Sequence, residues 1–126
     1  MFLKFFAIFG FLAVALGAFG AHGLKSFLAN AVDADLRLEW WGKAVRYQMW
    51  HAFLLGFIGM LSQAQTHKWL QFSGYSTIAG ILIFSGTLYI MTLTNIRILG
   101  AITPIGGLSL LAGWAFFGVW AFNQAS

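Results

Sequence analysis

Long apolar stretches alternate with short polar ones along this chain, and the apolar ones fall at about residues 5–23, 44–61, 72–93 and 99–122. Each approaches the ~20 consecutive apolar residues that ~30 Å of hydrocarbon demands of a helix. Inside lipid every backbone amide must find an internal partner, and the alternation of about ten residues per strand that marks a membrane barrel is absent. The pattern therefore predicts an all-α, multi-pass membrane protein: a single domain, residues 1–126, built as a four-transmembrane-helix bundle.

The connections carry the remaining information. Residues 22–43 form the longest and hold Asp33, Asp35 and Glu39, the only acids. Within it Leu36, Leu38, Trp40 and Trp41 mix with Arg37, Glu39 and Lys43, which suits a short interfacial helix between the first two spans with its indoles at headgroup level. The alternative is that the second span starts early, since Glu39 and Lys43 stand at i and i+4 and support a helix there. Trp69 and Trp120 are placed at the opposite interface. The only proline, Pro104, follows Thr103. Either Thr103 caps a helix over residues 104–122, with 96–102 a separate interfacial piece, or a continuous helix from near Arg97 is kinked at Pro104. The continuous, kinked helix is preferred. No convincing internal repeat supports an inverted-repeat transporter.

Composition agrees with a lipid solvent: 60% of residues are hydrophobic and 8% charged, against roughly 25% charged in soluble domains. The net charge of +4 comes from seven Lys and Arg against three acids, scattered between spans, so it sets topology rather than marking a nucleic-acid binder. Lys4 and Lys68 fall on one side and Lys25, Arg37, Lys43, Arg46 and Arg97 on the other, which places both termini outside the cytoplasm. Lys4, the apolar run and Ala18-Phe19-Gly20 imitate a signal peptide, but the run exceeds a signal's apolar core and the span is expected to be retained. Absence of cysteine excludes disulfides, thiolate ligands and thiol nucleophiles.

Two constellations stand out. Gly10, Ala13, Gly17 and Gly20 give the first helix a face of small residues, and Gly106 and Gly113 a sparser row on the last; such rows let helices approach closely. Packing within the bundle is the first reading and a homo-oligomer interface the second. The other constellation is His22, Glu39, Arg46, Tyr47 and His51, with Lys43, Tyr47 and His51 on one helical stripe. Arg46 within a span is costly unless partnered, and Glu39 is its expected partner. Three readings remain open: Arg46 snorkelling with the histidines bonded to backbone or Tyr47, a polar pocket for a lipid headgroup, ion or small anion, and haem ligation by His22 and His51. No metal-ligand spacing, nucleophile elbow, phosphate loop or pair of membrane carboxylates occurs, so no metal, cofactor or enzymatic activity is expected.

Gly17-Ala-Phe-Gly-Ala-His-Gly-Leu-Lys25, Ala44-Val-Arg-Tyr-Gln-Met-Trp-His-Ala52, Phe84-Ser-Gly-Thr-Leu-Tyr89 and Leu99-Gly-Ala-Ile-Thr-Pro-Ile-Gly-Gly-Leu108 together resemble domain-of-unknown-function family 423, small bacterial inner-membrane proteins of the YgdD and YwdK type. The resemblance spans nearly the whole chain, departing at Trp50, where the family usually has Tyr. It implies a four-helix protein of the bacterial cytoplasmic membrane and brings no established activity. The expected function is accordingly a non-catalytic accessory, scaffold or lipid-contacting bundle, with membrane lipid and a second copy or another membrane protein as partners. The alternative is binding or transport of a small solute, ion or lipid headgroup at the polar pocket near the first two helices.

Overall fold

In the computed structural model, which describes residues 1–124, all the regular structure of those residues is helical, with no strand. Helix α1 covers Phe2–Ala21, a five-residue helix α2 covers Gly23–Phe27, and α3 runs over Ala34–Ala64. The next rod is continuous from Lys68 to Thr94: α4 (Lys68–Gly80), a π-helical turn (Ile81–Ser85) and α5 (Gly86–Thr94). A 3-10 turn over Arg97–Ala101 leads into α6, Thr103–Gln124.

Among the described residues three stretches are long and apolar enough to cross a membrane: Phe2–Ala21, Lys68–Thr94 and Arg97–Gln124. The fourth predicted span, 44–61, lies within α3 and is not among them; Arg46, Gln48 and His51 dilute its apolar character. At 31 residues α3 is nonetheless the longest helix, ~46 Å at 1.5 Å per residue. It packs along α1 on one side and the α4–π–α5 rod on the other, while α6 packs on α4 and the π turn. One apolar core joins Phe2 and Phe9 of α1, Leu54, Leu55 and Ile58 of α3, Leu70 and Ile81 of the rod, and Leu110 and Trp120 of α6.

Leu36 to Lys43 do not form a separate interfacial helix. Asp33 precedes the first turn and Asp35 lies within it, where carboxylates favour the positive helix end, so these residues are the opening turns of α3. The short helix of this connection sits earlier, at Gly23–Phe27. Trp41 is not at a lipid interface either: it is buried, its indole donating to the Leu16 carbonyl at 2.7 Å and its ring meeting Tyr89 edge-on at 4.6 Å.

The kinked helix expected at Pro104 is also absent. α5 ends on Asn95 in the left-handed conformation (φ 56°), which Asn tolerates better than most residues. After the 3-10 turn, α6 opens at Thr103 with Pro104 in its first turn. Proline has no amide to donate and its ring collides with a carbonyl one turn back, so it starts a helix readily and continues one badly. Thr103 does not act as a side-chain cap: its hydroxyl donates to the Leu99 carbonyl at 3.2 Å and meets the Thr87 hydroxyl at 2.7 Å.

Small residues set the closest approaches, though not all those predicted. A Cβ on Gly106 would strike the backbone of Phe84 in the π turn, and one on Gly113 would strike the Thr77 hydroxyl, so α6 lies against the rod at both. A Cβ on Gly20 would come within 2.6 Å of the Trp41 indole, and Ala13 is buried. Gly17 has ordinary contact with Val45, while Gly10 faces open space with nothing within 4 Å. Gly56, Gly59, Gly74 and Gly80, outside the predicted rows, carry further close approaches.

Candidate functional site

The five predicted pocket residues separate into two groups and an outlier. His22 is exposed at the junction of α1 and α2. Arg46 donates to Glu39 at 2.9 Å, two turns earlier on α3, with both side chains about half exposed at 48% and 59%. Tyr47 and His51 turn to another face. The His51 ring is buried, with Nδ1 2.7 Å from the Tyr47 carbonyl and Nε2 3.0 Å from the Trp114 indole nitrogen. A carbonyl can only accept and an indole N–H can only donate, so His51 carries its proton on Nδ1 and presents a bare Nε2. Both nitrogens of a neutral imidazole are thereby engaged, and Trp114 ties α6 to α3 through it.

Next to this bond lies a lateral groove of about 630 Å³ between α3, the π turn and α6. Tyr47, His51, Phe84, Leu108, Leu111 and Trp114 line it. A smaller cavity of about 350 Å³ opens between α1 and α3, with Lys25 and Arg46 on its wall and Gly17, Gly20 and Trp41 below. The predicted polar pocket is thus two separate cavities, with Arg46 at one and His51 at the other.

Two polar networks were not among the predicted site residues. In the first, Gln48 is buried in α3, donates to the Phe9 carbonyl of α1 at 2.9 Å and accepts from the Tyr89 hydroxyl of α5 at 2.7 Å. One amide thereby joins three elements. A neutral polar residue within an apolar helix must find partners, and that rule picks out Gln48 from sequence as surely as it did His51.

The second network closes the end of the bundle opposite the N-terminus. Arg37, whose side chain is only 11% exposed, donates from Nε to the Thr92 carbonyl at 2.8 Å and from Nη2 to Leu93 at 3.3 Å. These are carbonyls of the last α5 turn, where a helix lacks its own donors and favours a cation. Thr92 answers with its hydroxyl, 3.2 Å from the Arg37 carbonyl. Asp33 lies 3.7 Å from Arg37 and accepts from Arg97 at 2.8 Å, so the start of α3, the end of α5 and the 3-10 turn are locked together. Partial desolvation pushes the Asp33 carboxyl up, but the Arg97 hydrogen bond, a bond to its own backbone and the charges of Arg37 and Arg97 together hold it below its ordinary value.

Among the described residues no group of three His, Asp or Glu is placed to hold a metal ion. Ser73 donates to the Gly113 carbonyl and Ser85 to the Ala44 carbonyl, both at 2.7 Å, so these hydroxyls join helices rather than wait for a substrate.

The sequence profile of a family described as "Protein of unknown function (DUF423)" matches residues 16–107. The chain belongs to that family. Its DUF423 relatives include the UPF0382 membrane protein YwdK of Bacillus subtilis, 42% identical over 113 residues and covering 81% of this chain and 83% of that protein. The UPF0382 membrane protein SH2409 of Staphylococcus haemolyticus is 45% identical over 106 residues, covering 81% and 82%. No solved structure matches this DUF423 chain. Both relatives are named membrane proteins, and this chain has apolar helices long enough to cross a membrane; the family match contains Arg37, Gln48, His51 and the π turn but ends before Trp114.

Proposed function

We propose that this protein is a non-catalytic, lipid-contacting scaffold of the bacterial cytoplasmic membrane, with α3 as a fourth span and both termini extracytoplasmic. Support for α3 as a span comes from its place between α1 and the α4–π–α5 rod, and from the outward row Trp50, Phe53, Phe57 and Met60, all half or more exposed. That row is what a lipid-facing helix surface requires. The observation that carries the scaffold reading is the closure of His51: one ring nitrogen is bonded to the Tyr47 carbonyl and the other to the Trp114 indole, so its partners are a backbone group and a group that does not titrate, and the ring ties α6 to α3. Gln48, Ser73 and Ser85 are likewise joined to neighbouring helices.

The test is reconstitution into vesicles of phosphatidylethanolamine and phosphatidylglycerol, followed by proton, potassium and chloride flux. Rates equal to those of protein-free vesicles are expected. Protein-dependent flux that falls when His51 is replaced by Phe would overturn the scaffold reading in favour of a conduction path. Binding of an anionic headgroup between α1 and α3 is the second reading, favoured by the two cations Lys25 and Arg46 on the wall of that cavity. Protection of Arg46 from phenylglyoxal by inorganic phosphate would support it.

A further inference from the structure

The groove between α3 and α6 holds about 630 Å³, and the stripe of α3 that enters its wall changes in character along a single line. Lys43, Tyr47 and His51 recur every fourth residue of α3, about 6 Å apart along the helix axis. Lys43 lies outside the lining of the groove, one turn before Tyr47 at the end nearest the Arg37 network; it is exposed and makes no ion pair among the described residues. One turn deeper Tyr47 lines the groove, its ring packed on Phe84 at 4.5 Å and its hydroxyl making no hydrogen bond among the described residues. Deeper still the wall is hydrocarbon, from Leu108, Leu111 and the half-exposed face of Trp114, and the one polar group there, His51, is already closed. Cation, free hydroxyl donor and apolar trough follow one another in the order in which a glycerophospholipid presents phosphate, ester carbonyl and acyl chain.

We propose that this groove holds one anionic glycerophospholipid, with its phosphate at Lys43, an ester carbonyl accepting from Tyr47 and an acyl chain lying against Phe84, Leu108, Leu111 and Trp114. This deepens the lipid-contacting part of the scaffold reading and rests on it. The occupant is lipid rather than a second copy of the chain because the groove opens sideways through the exposed faces of Leu108, Leu111 and Trp114, and because a cation with no ion pair among the described residues stands one turn beyond its polar end. Its volume also lies within the ~300–1,000 Å³ range of ligand sites. Gly107 forms part of the floor: a Cβ there would sit 3.8 Å from the Phe84 ring, so a larger side chain can enter the groove without striking backbone.

The protein, extracted in detergent, is titrated with phosphatidylglycerol or phosphatidylcholine and examined by native mass spectrometry, with thermal unfolding as the check that each variant folds. Retention of one phosphatidylglycerol in preference to phosphatidylcholine is expected, weakened about fivefold in Lys43→Gln, the effect of one basic residue beside an anionic surface. Gly107→Leu should abolish it, and Lys68→Gln, which removes an equal charge at the opposite end, should leave it unchanged. Equal retention of the two lipids, or undiminished retention in Gly107→Leu, overturns the proposal. So does loss of the lipid in Lys25→Gln or Arg46→Gln with Lys43→Gln unaffected, which moves it to the α1–α3 cavity, and so does a dimer that Gly107→Leu dissolves. None of these outcomes bears on the flux measurement, so the groove proposal and the scaffold reading fail separately.

Discussion

His51 shows how one residue's chemistry is settled by what its neighbours can and cannot do. Replacing it with Phe keeps a ring of similar size but orphans the Trp114 N–H and removes the donor to the Tyr47 carbonyl. Interhelical hydrogen bonds within membranes average about 0.6 kcal/mol and reach about 1.7, so chemical unfolding in micelles should report a loss in that range. Trp114→Phe should cost a comparable amount through the same bond, and the double variant should cost less than the two losses added. Tyr89→Phe breaks only the bond to Gln48 and belongs at the low end of the range. At this scale the sequence was half legible. His51 declares itself because an ionisable group in a span is conspicuous, but Trp114 lies 63 positions away and nothing local joins them. Arg46 and Glu39 were legible together because two turns of one helix connect them.

Among the elements, the two glycine rows show that spacing alone does not establish an interface. Gly106→Ala should destabilise by ~1–3 kcal/mol, the usual cost of overpacking, because the obstacle is the Phe84 backbone and cannot swing aside. Gly10→Ala should be neutral or slightly stabilising, since the new methyl meets nothing and alanine is the better helix former. Unfolding midpoints of the two variants side by side check both. Helices were readable from hydrophobic runs, whereas their ends were not. The opening turns of α3 and the restart at Thr103 depend on Arg37 capping α5 and on Thr87 meeting Thr103, contacts between segments far apart in the chain. The π turn left no signal in the hydrophobic pattern, because every residue from Ile81 to Phe84 is apolar in either helix type.

For the molecule as a whole, the network of Asp33, Arg37 and Arg97 makes stability depend on acidity in a definite direction. The folded Asp33 carboxyl titrates below its ordinary value of 3.8, so the folded state binds that proton less readily than the unfolded one. The contribution is present in full well above 3.8, and disappears as pH falls past that value and through the lower folded one. Wild type should therefore melt above Asp33→Asn at pH 7, and the gap should close as pH is lowered towards 3, with thermal unfolding in micelles as the measurement. The all-helical architecture and three of the long apolar helices were legible from the hydrophobic runs. Which cavities the packing leaves was not, because a groove is defined by what two distant helices fail to fill.

The π turn has a consequence for how this chain tolerates change in length. One widened turn accommodates an additional residue in the rod, and deleting a residue between Ile81 and Ser85 would let the rod close into uninterrupted α-helix. Everything beyond the deletion would then rotate by ~100° about the axis, carrying Ser85 away from the Ala44 carbonyl and Tyr89 away from Gln48 while α4 kept its grip on α6. Single-residue gaps in this stretch should accordingly be far less tolerated than gaps between α1 and α3.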